Sequence, residues 1–220
     1  MSYKAVFIDY TGTMVEQTGD DFKKLVKIFC THSDLKNPME AVAYVWKLVK
    51  KYEGECNHDK FITELEIVDT IVRRAMEEHG LDYDIDEIKR VWEESWIHEP
   101  LFDDVRGFFE KCPLPIYMIT NDGVYYAEKS MEEKGLKPAG IISADMVRAY
   151  KPCREIFEKA LEVAGCKPEE AVHIGDSVVS DVEGASTVGI QPVLIDRSGK
   201  EKCDKAIVVK SLDEVINLIK

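Results

Sequence analysis

The chain has 220 residues, enough for one good hydrophobic core and a satellite domain but for little more. An apolar fraction of 45% and a charged fraction of 32% are those of an ordinary folded protein and argue against a disordered chain. The formal net charge of −13 argues against general affinity for DNA, RNA or anionic lipid, partners that require clustered Lys and Arg.

The first element is the run YKAVFID, in which Ala5 to Ile8 are apolar on both sides of the pleat and end at Asp9. That pattern suits the buried centre of a parallel sheet, and Thr11-Gly12-Thr13 then marks a tight turn. The opening run is too brief for a signal peptide, and no apolar stretch approaches the ~18 residues that span a bilayer. Six dispersed cysteines (Cys30, Cys56, Cys112, Cys153, Cys166 and Cys203) form no C-x-x-C pair and fit reduced thiols. The expectation is a cytoplasmic protein with no membrane and no nucleic-acid partner, either monomer or homodimer.

From about Asp20 to Ile97 the pattern becomes helical. Phe22, Leu25, Val26 and Phe29 share a stripe in FKKLVKIF. Asn37-Pro38 is a helix start, opening a segment with Met39, Val42, Val45, Trp46 and Val49 on one face. A third helix is predicted from about Ile62 to His79, closed by Gly80, and a fourth from near Asp86 through Ile88, Val91, Trp92 and Ser95. All three tryptophans (Trp46, Trp92, Trp96) fall in this insert, and at least two are expected to fill its core.

After Pro100 strands and helices alternate. A helix around Val105 to Lys111 precedes a strand at Ile116–Ile119, which ends in Thr120-Asn121-Asp122-Gly123. A helix and a short strand at Ile141–Ile142 follow, then Lys151-Pro152 and a helix through Ile156, Phe157, Ala160 and Val163. The strand Val172–Ile174 runs into Gly175-Asp176-Ser177 with a helix beyond. Val193–Ile195, Ile207–Val209 and a closing helix from Leu212 to Ile219 complete the chain. This alternation predicts an α/β fold, a Rossmann-like and mostly parallel sheet with helices on both faces, plus an α-helical domain. Residues 1–15 and 100–220 are expected to form the α/β core and 16–99 the helical insert.

Ligands bind beyond the carboxyl ends of the strands in such sheets. Asp9, Thr120 and Asp176 stand at that edge, and Lys151 lies in a loop that can reach it. Two carboxylates suit a hard cation such as Mg²⁺, while a carboxylate nucleophile, a hydroxyl and an ammonium suit phosphoryl transfer. Each residue alone has a plainer explanation: a strand-end turn for Asp9, a helix cap for Asp176, a common strand-end residue for Thr120, a solvated surface lysine for Lys151. Together those explanations require four coincidences along one edge.

The set resembles the haloacid dehalogenase (HAD) superfamily over the whole chain. FIDYTGT is similar to its first motif, ITN to its second, Lys151-Pro152 to its third and GDSVVSD, with Asp176 and Asp181, to its fourth. The resemblance implies that Asp9 forms an aspartyl-phosphate and binds Mg²⁺, with the Thr11 carbonyl and Asp176 as further ligands. It implies Asp181 in the metal shell, directly or through water, Thr120 and the Asn121 N–H on the phosphate, and Lys151 balancing charge. The insert resembles a C1-type cap domain.

The pattern departs at one place. Most phosphatases of the superfamily carry a second Asp two residues after the nucleophile, where this chain has Thr11, a hydroxyl that does not titrate near neutral pH. General acid–base catalysis is typically worth ~10²–10⁴-fold. The expectation is therefore a Mg²⁺-dependent phosphatase of small phosphorylated compounds, slow on poor leaving groups. A non-catalytic phosphate-binding or phospho-aspartyl module is an alternative. So is a phosphonatase-like C–P hydrolase with a Schiff-base lysine among Lys47, Lys50 and Lys51, although those three read as a solvated face. Dehalogenases also lack the second Asp but dispense with metal, which the GDSVVSD segment looks built to bind. His173 reads as a satisfied core histidine, and the Asn-Asp-Gly turn as the shape of the phosphate loop.

Overall fold

The computed structural model describes residues 3–200 and 203–219, which divide into two compact units. Gln17–Pro100 form one, and the chain up to Glu16 and from Leu101 onward forms the other.

The second unit holds a six-stranded sheet, every described pairing parallel: β1 (Ala5–Ile8), β2 (Ile116–Thr120), β3 (Gly140–Ser143), β4 (Ala171–Gly175), β5 (Gln191–Ile195) and β6 (Ile207–Val209), in the order β3-β2-β1-β4-β5-β6. All four residues of β1 and all five of β4 are buried, which is why both read as continuous apolar runs rather than alternating ones. The chain builds outward from β1 to β2 and β3, then returns past β1 to begin β4. This reversal of strand order creates a crevice at the carboxyl ends of β1, β2 and β4. Ile8 pairs with Met118 on one side and Ile174 on the other, and the Asp9 N–H donates to the Ile174 carbonyl at 2.8 Å. That register sets Asp9 level with the ends of both neighbouring strands.

Helices α5 (Asp103–Lys111), α6 (Val124–Lys134), α7 (Ala144–Val147), α8 (Arg154–Ala164), α9 (Gly184–Thr187) and α10 (Leu212–Leu218) follow the helical insert in chain order. One difference from expectation lies after β4. In place of a simple helix, Val178–Glu183 make a π-helical turn, with the Val182 N–H reaching the Ser177 carbonyl at 3.2 Å. Such wider turns are frequent at functional sites. Ser177, not Asp176, caps this turn, its Oγ accepting the Ser180 N–H at 3.1 Å.

The other unit comprises α1 (Asp20–His32), α2 (Pro38–Glu55), α3 (Glu64–His79) and α4 (Ile85–His98). Asn37 caps α2 as expected, Oδ1 accepting the Met39 N–H at 2.8 Å. Helix α3 begins two residues later than predicted because Thr63 and Glu66 form a capping box. The buried face of α2 also differs from the predicted stripe. Ala41, Leu48 and Val49 are buried, Met39 is exposed and Trp46 is half-buried. Only Trp92 of the three tryptophans is buried, edge-on to Phe29 at 6.5 Å, with Trp96 half-covered. Among the described residues no helix is long and apolar enough to cross a membrane, and all six cysteines are free.

Candidate active site

Four segments of the α/β unit converge at the sheet edge. Asp9 leaves β1 and is buried. Its Oδ1 accepts Lys151 Nζ at 2.5 Å, while Oδ2 is buried with no hydrogen-bond partner among the described residues. Lys151, only 4% exposed, is not the solvated lysine its type suggests, and its Nζ also donates to Asp181 Oδ1 at 2.7 Å. Its backbone N–H donates to Asn121 Oδ1 at 2.8 Å, which ties the Lys151 loop to the end of β2.

Asp181 is reached by three donors: Lys151 Nζ and His173 Nε2 (2.9 Å) on Oδ1, and the Ser177 N–H (3.1 Å) on Oδ2. This close packing depends on Gly175, since a Cβ there would collide with the Asp181 carboxyl. Asp176 lies on the open side. A Cβ on Gly12 would stand 2.5 Å from Asp176 Oδ2, and the φ of +91° at Gly12 favours glycine independently. Oxygens of Asp9, Asp176 and Asp181 lie within 4.8 Å of one another, close enough for a shared cation.

The electrostatics follow from burial. Loss of water raises the Asp9 carboxyl well above the ordinary 3.8; Lys151 opposes that rise, and Asp181 and Asp176 add to it. Burial alone would also raise Asp181, but the Lys151 ammonium and the His173 hydrogen bond hold it below the usual carboxylate range. Burial would lower Lys151, yet the two carboxylates raise it, so the ammonium persists. Burial pushes the His173 imidazole below 6.5 despite the hydrogen bond it donates to Asp181. A neutral ring facing a carboxylate carries its proton on Nε2, leaving Nδ1 buried and unpartnered among the described residues. The prediction of a satisfied core histidine thus needs correction. His173 is buried, but half of it belongs to the charged cluster.

Thr120 and Thr11 meet a residue that sequence reasoning treated only as turn geometry. Asp122 Oδ2 accepts Thr120 Oγ1 at 2.9 Å and Thr11 Oγ1 at 3.1 Å. Arg197 was also missed. It pairs with Asp104 at 2.8 Å, lies over the Phe102 ring at 3.8 Å, and donates to the Thr13 carbonyl at 2.9 Å, so it braces the loop after Asp9. Its position after β5 carries no motif, and only the fold brings it there.

Residues 3–189 match the haloacid dehalogenase-like hydrolase family, and the chain belongs to that family. It is 39% identical over 93 residues to the phospholysine phosphohistidine inorganic pyrophosphate phosphatase of Xenopus laevis, a stretch covering 39% of this chain and 33% of that protein. The chain spans about a third or less of the curated relatives it matches first. Two solved structures share the fold over nearly the full length of both chains. The HAD-hydrolase YfnB from Bacillus subtilis, bound to magnesium, has a TM-score of 0.82 at 18% identity, covering 100% of this chain and 99% of that one. The L-2-haloacid dehalogenase of Xanthobacter autotrophicus has 0.75 at 17% identity, covering 99% and 98%. A fold common to a dehalogenase and a magnesium-bound hydrolase does not select a reaction; the site must.

Proposed function

We propose that the protein is a Mg²⁺-dependent phosphatase of small phosphorylated compounds, with Asp9 as nucleophile and the helical unit as a C1-type cap domain. One observation carries this reading: Asp9 is buried with Oδ1 held by Lys151 and Oδ2 unpartnered, while oxygens of Asp176 and Asp181 lie within 4.8 Å of it. A buried carboxylate oxygen without a partner costs about 1–3 kcal/mol, a cost that a cation or a phosphoryl group relieves. The point of insertion, directly after the nucleophile loop, supports the cap assignment.

The donor set fits magnesium, because it is all oxygen and two glycines clear space around the carboxylates. Asp9, the Thr11 carbonyl and Asp176 would hold the ion, and Asp181, whose oxygens already take protein donors, would support it through water or through Lys151. When bound, magnesium supplies charge neutralisation for the phosphoryl oxygens. In the first step an Asp9 oxygen attacks phosphorus and the bond to the leaving oxygen breaks, the electron pair departing with the alcohol. Thr11 offers no proton for that departure, so it comes from solvent or is not needed. Water then attacks phosphorus and gives up its proton to solvent, the bond from phosphorus to the Asp9 oxygen breaks, and the carboxylate returns to Lys151. The Thr120–Asn121 loop is the phosphate-binding element in this reading.

Proximity of Asp176 to Asp9 favours a phosphatase over a metal-free dehalogenase. Lys47, Lys50 and Lys51 are all exposed, which weighs against a Schiff-base mechanism. A long-lived phospho-aspartyl state is the second reading, favoured by Thr11; intact mass after incubation with acetyl phosphate would reveal a stable adduct without turnover. The primary test is phosphate release from p-nitrophenyl phosphate and a metabolite panel, with Mg²⁺ and with EDTA. Turnover is expected only with metal, and Asp9→Asn should lower it at least about a thousandfold. Metal-independent turnover, or full activity in Asp9→Asn, would refute the proposal.

A further inference from the structure

Asp122 sits between the two loops that flank Asp9. Its Oδ2 takes the hydroxyl protons of Thr11 (3.1 Å) and Thr120 (2.9 Å), its N–H donates back to Thr120 Oγ1 at 3.0 Å, and its carbonyl accepts Ser143 Oγ at 3.0 Å. The residue is buried, as is Thr120. A hydroxyl has one proton and two lone pairs. With both protons committed to a carboxylate, an acceptor roughly twice as strong as a neutral one, each threonine turns only lone pairs toward its remaining neighbours.

We infer that Asp122 is a positioning residue of this site, holding the Thr11 and Thr120 hydroxyls as hydrogen-bond acceptors. Thr11 then accepts a hydrogen bond from the water that attacks the aspartyl phosphate, which fixes that water's orientation while its proton leaves to solvent. Thr120 does not donate to the phosphoryl group while its proton is on Asp122. The inference rests on the phosphatase reading and refines the part played by both threonines. It also explains how a site with no acid at position 11 still organises the second half of the reaction. A carboxylate next to the phosphate loop carries a further consequence: product phosphate is held loosely. Removing Asp122 frees the Thr120 proton and deletes a negative charge, so phosphate should bind more tightly as turnover slows. Mere loss of structure would weaken both.

The test compares wild type, Asp122→Ala, Asp122→Asn, Thr11→Val and the Asp122→Ala/Thr11→Val pair. Each is assayed for kcat on p-nitrophenyl phosphate, whose leaving group needs no acid, and for the inhibition constant of inorganic phosphate, both with Mg²⁺. Asp122→Ala should lower kcat about tenfold while phosphate binds severalfold more tightly, and the kcat effect should vanish in the Thr11→Val background. Asp122→Asn, which keeps the volume and one acceptor, should recover part of kcat; should the alanine variant not fold, unchanged kcat and phosphate affinity in the asparagine variant overturn the inference. Independent, multiplicative effects at positions 11 and 122 overturn it, as does weaker phosphate binding in Asp122→Ala. A wild type that neither turns over nor binds phosphate refutes the phosphatase reading itself. An active wild type without coupling refutes only this inference.

Discussion

The two units treat charge in opposite ways. In the helical unit the ion pairs sit outside, many along single helices such as Arg73–Asp69 at 2.6 Å and Arg74–Glu78 at 2.7 Å, while Ile67, Ile71, Val72 and Ile88 fill the interior. The one buried carboxylate among the described residues of that unit, Glu99, accepts the backbone N–H groups of Thr18 and Gly19. In the α/β unit an ammonium and two carboxylates lie inside, at the end of an otherwise apolar sheet. Exposed pairs are screened by water and carry little free energy. Buried ones lose hydration and need every partner in place. Charge that a fold buries against this cost marks a site; charge left outside marks solubility.

Three substitutions sharpen or break the contrast. Lys151→Met removes the one cation facing two buried carboxylates, so urea unfolding at pH 7 should show a loss of about 3–5 kcal/mol together with loss of turnover. A loss no greater than that of a surface pair would end the comparison. Asp104→Asn comes next, removing a half-buried carboxylate from Arg197 and from the Leu212 N–H; a loss of about 2 kcal/mol is expected. Burial alone would raise the Asp104 carboxyl, but Arg197 and the backbone hold it below 3.8. A depressed folded value means the stabilisation is complete above 3.8 and disappears as pH falls through the folded value. Melting curves of wild type and Asp104→Asn should therefore converge in acid; a gap that widens as pH falls would contradict that sign. Smallest is Arg90→Ala on α4, which breaks exposed pairs with Glu87 and Glu94 and should move the melting temperature by about a degree or less.

The strands were legible because β1 and β4 are buried on both faces and leave an unbroken apolar run. Asp9, Thr120 and Asp176 were legible because they stand where apolar strand runs end, and Lys151 because it precedes Pro152 in the loop that opens the next helix. What escaped had no local signal. Asp122 looked like a turn residue, and the hydrogen bond it accepts from Thr11, 111 positions away, forms only when the chain folds. His173 looked like core, because nothing in the strand shows that the next turn widens and brings Asp181 back over Gly175. The face of α2 was misjudged because Val42, Val45 and Trp46 share a stripe that its neighbours cover only partly. Periodicity gives the stripe, and tertiary packing decides how much of it is covered.

One small pairing has a wider consequence. Val15 and Leu101 form an antiparallel bridge, and the Phe102 N–H donates to the Met14 carbonyl at 3.0 Å, so the points where the chain departs for the helical segment and resumes are stitched together inside the α/β unit. The sheet therefore does not register how long the excursion is or what it contains, and loop-closure entropy rises only slowly with its length. A lineage can lengthen, replace or redesign the intervening helices without disturbing the alignment of β1 on β4. The helical segment and the residues at the sheet edge are thus free to change on separate stretches of one chain.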